Sequence, residues 1–168
     1  MQDIITALTE EHAAHRSLFA RLAATTTAVG PMRLALLAEL DQGLRLHMRF
    51  EEDVLFPALR EHANKETRGK TLEAYAEHEA ARATLNELES VAPDKEMWEA
   101  WLKVLSEELE HHMKEEEDDL FPYARELITA ENRTAMAEEL QCWKVRAGAR
   151  GNEVEPAPPH HTRLVGLS

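Results

Sequence analysis

Histidine and glutamate recur in this sequence at a spacing that can bind a metal ion. The segment 47–57 returns as 112–122, an offset of 65 residues, with eight of its eleven positions identical. Each copy contains His-x-x-x-Glu, and on an α-helix residues four apart lie on one face, one turn apart. Each pair can therefore direct an imidazole and a carboxylate at one point. The four residues are His47, Glu51, His112 and Glu116.

Apolar residues upstream of each pair indicate that these side chains face the core. They are spaced by three and four, so each pair continues one apolar helical stripe. Two buried carboxylates that face each other repel unless protons or a cation lie between them. A metal site is the explanation that this pattern favours. The apolar residues upstream of each pair are Leu37, Leu40 and Leu44 in the first copy and Trp98, Leu102, Leu105 and Leu109 in the second.

The composition predicts one helical domain and excludes several classes of partner. A chain of 168 residues with 43% hydrophobic residues can build a single core. The net charge of −13 argues against nucleic acid and anionic membranes as partners. Cys142 is the single cysteine, which excludes an internal disulfide and suits a reducing compartment. Without a signal peptide or a membrane-length apolar stretch, we expect a cytoplasmic protein.

Helical periodicity and turn residues predict an all-α fold. We expect an up-down-up-down four-helix bundle built from two repeated helical hairpins, followed by a short fifth helix. Residues 1–147 would form the domain, and 148–168, rich in proline and polar residues, a flexible tail. Pro57 should kink or loosen the end of the second helix. The expected helices are 2–28, 31–62, 67–91, 94–126 and 130–147.

The repeat extends beyond the two pairs. The segment His12-Ala-Ala-His-Arg matches His78-Glu-Ala-Ala-Arg at an offset of 66 residues. A pseudo-twofold axis between the hairpins would bring four imidazoles and two carboxylates to similar depth. Such a set can hold two metals, with two imidazoles on each and the carboxylates as bridges. Nitrogen and oxygen donors without sulfur favour iron, manganese or zinc.

At these residues the chain resembles the hemerythrin-like family of HHE cation-binding domains, over about residues 3–127. The resemblance rests on the six donors and on Leu-Phe-Pro after each His-x-x-x-Glu. It implies a helical bundle around a non-heme di-iron centre, with manganese or zinc as the alternatives to iron. Its ligands would be His12 and His47 on one iron, His78 and His112 on the other, and Glu51 and Glu116 as bridges.

The chain departs from the oxygen-carrying members of that family. Arg82 stands where they have a further histidine, and Glu116 where they have an aspartate. These differences predict a more open centre that admits water or peroxide and oxidises more readily. Three functions stay open. The protein could bind, sense or store oxygen, nitric oxide or iron, or it could turn over peroxide or nitric oxide. It could also be an interaction module in which the metal only stabilises the bundle. We expect a monomer or a homodimer.

Other polar residues have two interpretations each. Tyr75 either packs in the core or donates a hydrogen bond to a metal-bound oxygen. Arg82 either pairs with a glutamate at the site or extends to solvent, so both residues are candidates for contacts behind the ligands. His15 is a candidate fifth imidazole, with a place behind the ligands or at the surface as the alternatives. His111 and His62 are expected at the surface.

Overall fold

The computed structural model describes residues 2–25 and 30–150, and in this part of the chain all regular structure is helical. Asp3 caps the first helix, its carboxylate accepting a hydrogen bond of 2.9 Å from the Ile5 N–H. The helices are α1 Ile4–Ala23, α2 Gly30–Phe50, α3 Phe56–His62, α4 Lys65–Ser90, α5 Glu96–Glu115, α6 Phe121–Leu127 and α7 Ala130–Arg150, with π-helical turns at Glu51–Leu55 and Glu116–Leu120.

The helices assemble as the predicted bundle of two hairpins. Helix α1 pairs with α2 and α4 with α5, while α7 packs on α1 and α2. The architecture predicted from periodicity is therefore confirmed. Helix α7 continues through Arg150, past the expected end at 147, and the remainder of the predicted tail lies outside the described residues. No helix in residues 2–25 and 30–150 is long and apolar enough to cross a membrane.

A π-helical turn precedes Pro57, where we predicted that the helix kinks or loosens, and it is the loosened form. Proline has no N–H, and in a regular α-helix its ring would meet the carbonyl four residues earlier. In the wider turn the Phe56 N–H donates to the Glu51 carbonyl instead. The Glu52 carbonyl, which loses its usual donor, accepts a hydrogen bond of 2.9 Å from the Tyr75 hydroxyl. The second repeat has the same turn before its proline.

Two apolar clusters fill the bundle, one on each side of the layer that carries the histidines. Along α1, Leu8 belongs to one cluster and Leu18 to the other, with buried His12 between them. Apolar packing thus excludes water above and below the polar layer. Leu72 lies two steps of three residues before His78, a spacing from which we predict it on the buried face of the helix 67–91, but it is 55% exposed. The small residue Ala74 is buried there instead, because leucine at 72 is rotated off the face.

The apolar face of helix α7 packs against the rest of the bundle. Its Leu140 is fully buried, and the Trp143 ring packs edge-on against Phe50 with ring centroids 5.4 Å apart. Cys142 lies on the other face and is exposed. The apolar face of this helix therefore contributes to the domain core.

Candidate metal centre

Six side chains from the repeated motifs project into the polar layer and are almost fully buried. Their exposed fractions lie between 0% and 3%. Helix α1 supplies one imidazole, α2 and α4 supply one each, and α5 supplies the fourth. The two glutamates are the first residues of the π-helical turns. The six residues are His12, His47, Glu51, His78, His112 and Glu116.

The imidazoles form two pairs that face each other through their Nε2 atoms. His12 Nε2 lies 3.1 Å from His47 Nε2, and His78 Nε2 lies 2.9 Å from His112 Nε2. Neighbouring ligands at right angles around one cation, with bonds of about 2.1 Å, would lie about 3.0 Å apart. Each pair thus has the spacing of two donors on one metal ion.

The two glutamates connect the imidazole pairs. Glu51 places Oε1 3.3 Å from His47 Nε2 and Oε2 3.4 Å from His78 Nε2. Glu116 places Oε2 3.3 Å from His12 Nε2 and 3.5 Å from His112 Nε2. Each carboxylate reaches both pairs, so the geometry gives two sets of four donors that share both glutamates.

Each imidazole is held from behind by a second glutamate. The Nδ1 of His12 lies 2.9 Å from Glu117, and that of His78 lies 2.8 Å from Glu52. The other two imidazoles have the same contact, at 2.7 Å from Glu11 for His47 and 2.8 Å from Glu77 for His112. Such carboxylates orient metal-binding histidines and raise the basicity of the nitrogen that faces the metal. We call Glu11, Glu52, Glu77 and Glu117 the outer glutamates.

The outer glutamates determine which nitrogen carries the proton. The pKa of each of these carboxyl groups is lowered, so all four are ionised at neutral pH. For Glu11, burial raises the pKa, but the hydrogen bonds from His47 and Lys144 outweigh it and hold the value at about 2. An ionised carboxylate only accepts hydrogen bonds. Each Nδ1 must therefore donate, and each Nε2 faces the centre.

The inner donors lack partners for their lone pairs. Both carboxylate oxygens of Glu51 and both of Glu116 are buried and accept no hydrogen bond within the described residues. The facing Nε2 atoms, 3.1 and 2.9 Å apart, need a cation or a proton between them. Burial and the neighbouring Glu116 raise the pKa of the Glu51 carboxyl well above 4.5. A buried acceptor without a donor costs about 1–3 kcal/mol, and a pair of cations would satisfy all of these atoms. The residues fit a dinuclear metal site.

Aromatic rings and arginines complete the surroundings of the site. Phe121 stacks on the His12 ring at 5.4 Å between centroids, and Phe56 stacks on the His78 ring at 5.5 Å. Arg82 donates to Glu52, the residue behind His78, and to an exposed glutamate on its own helix. Arg82 therefore pairs with a glutamate of the site, one of the two placements that we considered.

Tyr75 lies one step further from the centre. Its hydroxyl bonds the Glu52 carbonyl, and its ring packs edge-on against Phe56 at 5.1 Å. Tyr75 thus positions the backbone of an outer glutamate and a ring that stacks on a ligand. Half-buried, it packs against a core cluster, which is close to one of our two interpretations, and its hydroxyl bonds the protein backbone.

The remaining histidines lie outside the two donor sets. His15 is buried and packs edge-on against the His47 ring at 5.3 Å between centroids. Burial and nearby His47 lower the pKa of His15 to about 3, so its ring is neutral. His111 is 67% exposed, as predicted for the surface. The side chain of His62 lies outside the described part of the chain.

Two of the outer glutamates were missed by the sequence analysis. Glu11 and Glu77 directly precede His12 and His78, where they continue no apolar stripe and look like ordinary surface carboxylates. The signal that could have found them is the repeat, because Glu-His occurs at both equivalent positions. Glu52 and Glu117 directly follow Glu51 and Glu116, a position that suits either a place behind the ligands or the surface, and the structure places them behind the ligands.

Replacing an outer glutamate by its neutral amide should weaken metal binding. We expect Glu117→Gln to lower affinity by about 10- to 100-fold, because a neutral amide holds the His12 ring less firmly and leaves Nε2 less basic. Competition titration against a chelator of known affinity measures the change. Asp118→Asn is the matched control, since this neighbour is exposed and pairs only with Lys114 among the described residues. Equal affinities for the two variants would contradict the assigned role.

Comparison with known proteins gives an independent view of the same residues. A sequence model of the Hemerythrin HHE cation binding domain matches residues 3–124, a range that contains all six inner donors. The structure is similar to the crystal structure of a Hemerythrin HHE cation binding domain-containing protein from Mycobacterium kansasii. The TM-score is 0.76 and the sequence identity 26%, over 89% of this chain and 92% of that one. No curated protein matches the sequence significantly.

Proposed function

Because the chain belongs to the hemerythrin HHE cation-binding domain family, we propose that its buried histidines and glutamates hold two iron ions. The centre would bind or react with dioxygen, peroxide or nitric oxide. His12 and His47 would bind one iron and His78 and His112 the other, with Glu51 and Glu116 as bridges. We also expect a cytoplasmic protein that is a monomer or a homodimer.

One observation carries this proposal. Four buried carboxylate oxygens accept no hydrogen bond within the described residues, and they lie between two imidazole pairs whose Nε2 atoms face each other. A purely structural role would leave these atoms without compensation in the core. Two cations would compensate the charge of these carboxylate oxygens. Glutamates that bridge both cations require the two imidazole pairs to lie at the same depth in the bundle, which is where the repeat places them.

Iron suits the donor set and the expected chemistry. Four imidazoles and two carboxylates contain no sulfur, which disfavours copper(I) and iron–sulfur clusters. Manganese and zinc accept similar ligands and stay as alternatives. Iron bound here would supply one-electron chemistry towards small oxidants. Each set of four donors leaves coordination positions for a small molecule.

The surrounding residues would control what reaches the centre. Phe56 and Phe121 cover two of the imidazoles, and the apolar clusters lie above and below the polar layer. This enclosure favours small, weakly hydrated ligands over charged organic substrates. The outer glutamates keep each ring in one orientation and each proton on Nδ1, so the donors need no rearrangement when a ligand binds.

Metal analysis tests the proposal. Protein made in iron-replete cells should contain about two iron atoms per chain, by the count of donors. His47→Ala and Glu116→Ala should each lose metal, because each removes a donor from the shared sets. Elemental analysis of the purified full chain measures the content.

His111→Ala is the matched control for these variants. It removes the imidazole next to His112 from the exposed side of α5 and should leave the iron content unchanged. One tightly bound zinc per chain, or none, would contradict the di-iron proposal. Loss of metal from the control would instead show that the donors on α5 are wrongly assigned.

A further inference from the structure

The buried donors raise the question of how a cation reaches them. None of the six is more than 3% exposed, so a metal ion must pass a wall of the bundle. A pocket of about 390 Å³ lies between α1, α2 and α7, next to one of these walls. We call it the His15 pocket, and the residues that matter here are Glu11, His15, Gly43, Leu46 and Lys144.

The inner wall of the His15 pocket touches a proposed ligand directly. Glu11 accepts the hydrogen bond of 2.7 Å from His47 Nδ1, and the His15 ring packs against the His47 ring. A carboxylate and an imidazole, both good ligands for divalent cations, thus line the pocket. Both contact the His47 ring, which is itself an inner donor.

Gly43 leaves room for the His15 ring, and one nitrogen of that ring has no hydrogen-bond partner within the described residues. A Cβ at Gly43 would lie 3.0 Å from His15 Nε2, so any larger residue there would push against the ring. His15 is 4% exposed, and its Nδ1 has no hydrogen-bond partner within the described structure. A buried polar atom in this state costs about 1–3 kcal/mol. Packing alone would be better served by an apolar side chain.

The other half of the bundle lacks this arrangement. At the repeat offsets that relate the donors, His15 corresponds to Ala81 and Gly43 to Glu108. Helix α7, which closes the pocket, packs on α1 and α2. The imidazole is therefore specific to one side of a site that is otherwise duplicated, which argues against a role in supporting the bridged centre itself.

Lys144 occupies the place that a cation would take. Its ammonium group pairs with Glu11 at the mouth of the pocket, while its side chain is 35% exposed. We propose that the His15 pocket is the access site for divalent cations, where Glu11 and His15 bind the ion transiently as it displaces the Lys144 ammonium. The ion then passes the His47 ring to the inner donors. This inference rests on the proposed function.

Loading kinetics test the access site. The full chain, freed of metal by chelation, is mixed anaerobically with cobalt(II), whose visible absorption reports its ligands, and the final content is measured by elemental analysis. His15→Phe keeps a ring without donor atoms and should load about tenfold more slowly to the same final content. Lys144→Gln should load several-fold faster, because it removes the competing cation. His111→Phe, the control, should load like the wild type.

Each other outcome has a distinct meaning. His15→Phe or Lys144→Gln loading at the wild-type rate would overturn the access site. A reduced final cobalt content in His15→Phe would also overturn it, because His15 would then be a permanent ligand. A wild-type chain that takes up no cobalt would overturn the proposed function itself, and the two failures are thereby distinguished.

Discussion

Removal of the metal should lower the thermal midpoint of the protein by about 10 °C or more. Metal that binds the folded state alone stabilises it by mass action, by about 4 kcal/mol at a thousandfold excess over Kd. For a chain of this size each kcal/mol shifts the midpoint by about 2–4 °C. Calorimetry before and after chelation, with metal content checked in both samples, measures the shift.

One variant and a readdition experiment distinguish the loss of metal from damage by the chelator. Glu116→Ala cannot complete either donor set, so its midpoint should not respond to chelation. Readdition of iron should restore the wild-type midpoint. An unchanged wild-type midpoint after verified removal would mean that the inner donors are hydrated, contrary to their burial.

The stabilisation by metal should grow as the pH rises. In the metal-free folded protein the pKa of Glu51 is raised above 4.5, so the folded chain holds a proton there that the unfolded chain has already lost. That proton favours the folded state at low pH, and its contribution is lost as the pH rises through the raised pKa. A cation must also displace it. The midpoint difference between loaded and metal-free protein should therefore increase from about pH 5 to pH 8.

The second large effect concerns reaction with oxidants. The iron-loaded protein should oxidise irreversibly in air within minutes and then consume peroxide, since each iron has few nitrogen ligands and open positions. Replacing any of the four inner histidines by alanine should lower peroxide consumption at least about tenfold. Oxygen-electrode and absorbance assays on protein of known iron content measure both reactions. The four residues are His12, His47, His78 and His112.

Arg82 is the residue through which we expect this centre to differ from an oxygen carrier. Arg82→His should slow oxidation by air and lengthen the life of an oxygen-bound form, because it adds an imidazole one turn from His78. Arg82→Gln is the matched control, since it removes the contact with Glu52 without supplying an imidazole. Equal oxidation rates for both variants would assign the effect to Glu52. A stable, reversible oxygen spectrum in the wild type, without peroxide turnover, would place the protein among carriers or sensors.

The inner donors could be read from the sequence because they occur twice. Periodicity placed each His-x-x-x-Glu on a buried stripe, and duplication distinguished the pattern from incidental histidines. Glu11 was not recognised, because it continues no apolar stripe and its one sequence signal is the repeated Glu-His pair. Its position behind His47 depends on how α1 meets α2, which is a tertiary relation between residues far apart in sequence.

Local rules failed where backbone geometry departs from the regular helix. Pro57 signalled an irregularity but not its type, since a kink and a π-helical turn both relieve the clash. Tyr75 could not be assigned for the same reason, because its partner is a carbonyl that only this turn leaves without a donor. The error at Leu72 has a different origin: in the first half of α4 the buried residues are the small Thr67, Thr71 and Ala74, so a hydrophobicity pattern identifies this part of the face poorly.

The two π-helical turns set the rotation of each ligand relative to the aromatic ring that follows it. Each turn accommodates one residue more than an α-helix would, and this extra residue sets the phase of everything downstream. If residues 51–55 wound as a regular α-helix instead, the Pro57 ring would meet the Asp53 carbonyl. With the same ligands and core residues, Phe56 would also rotate by about 100° relative to His47 and Glu51. The rotational phase of the helix, and not only its composition, thus keeps the Phe56 ring over the His78 imidazole.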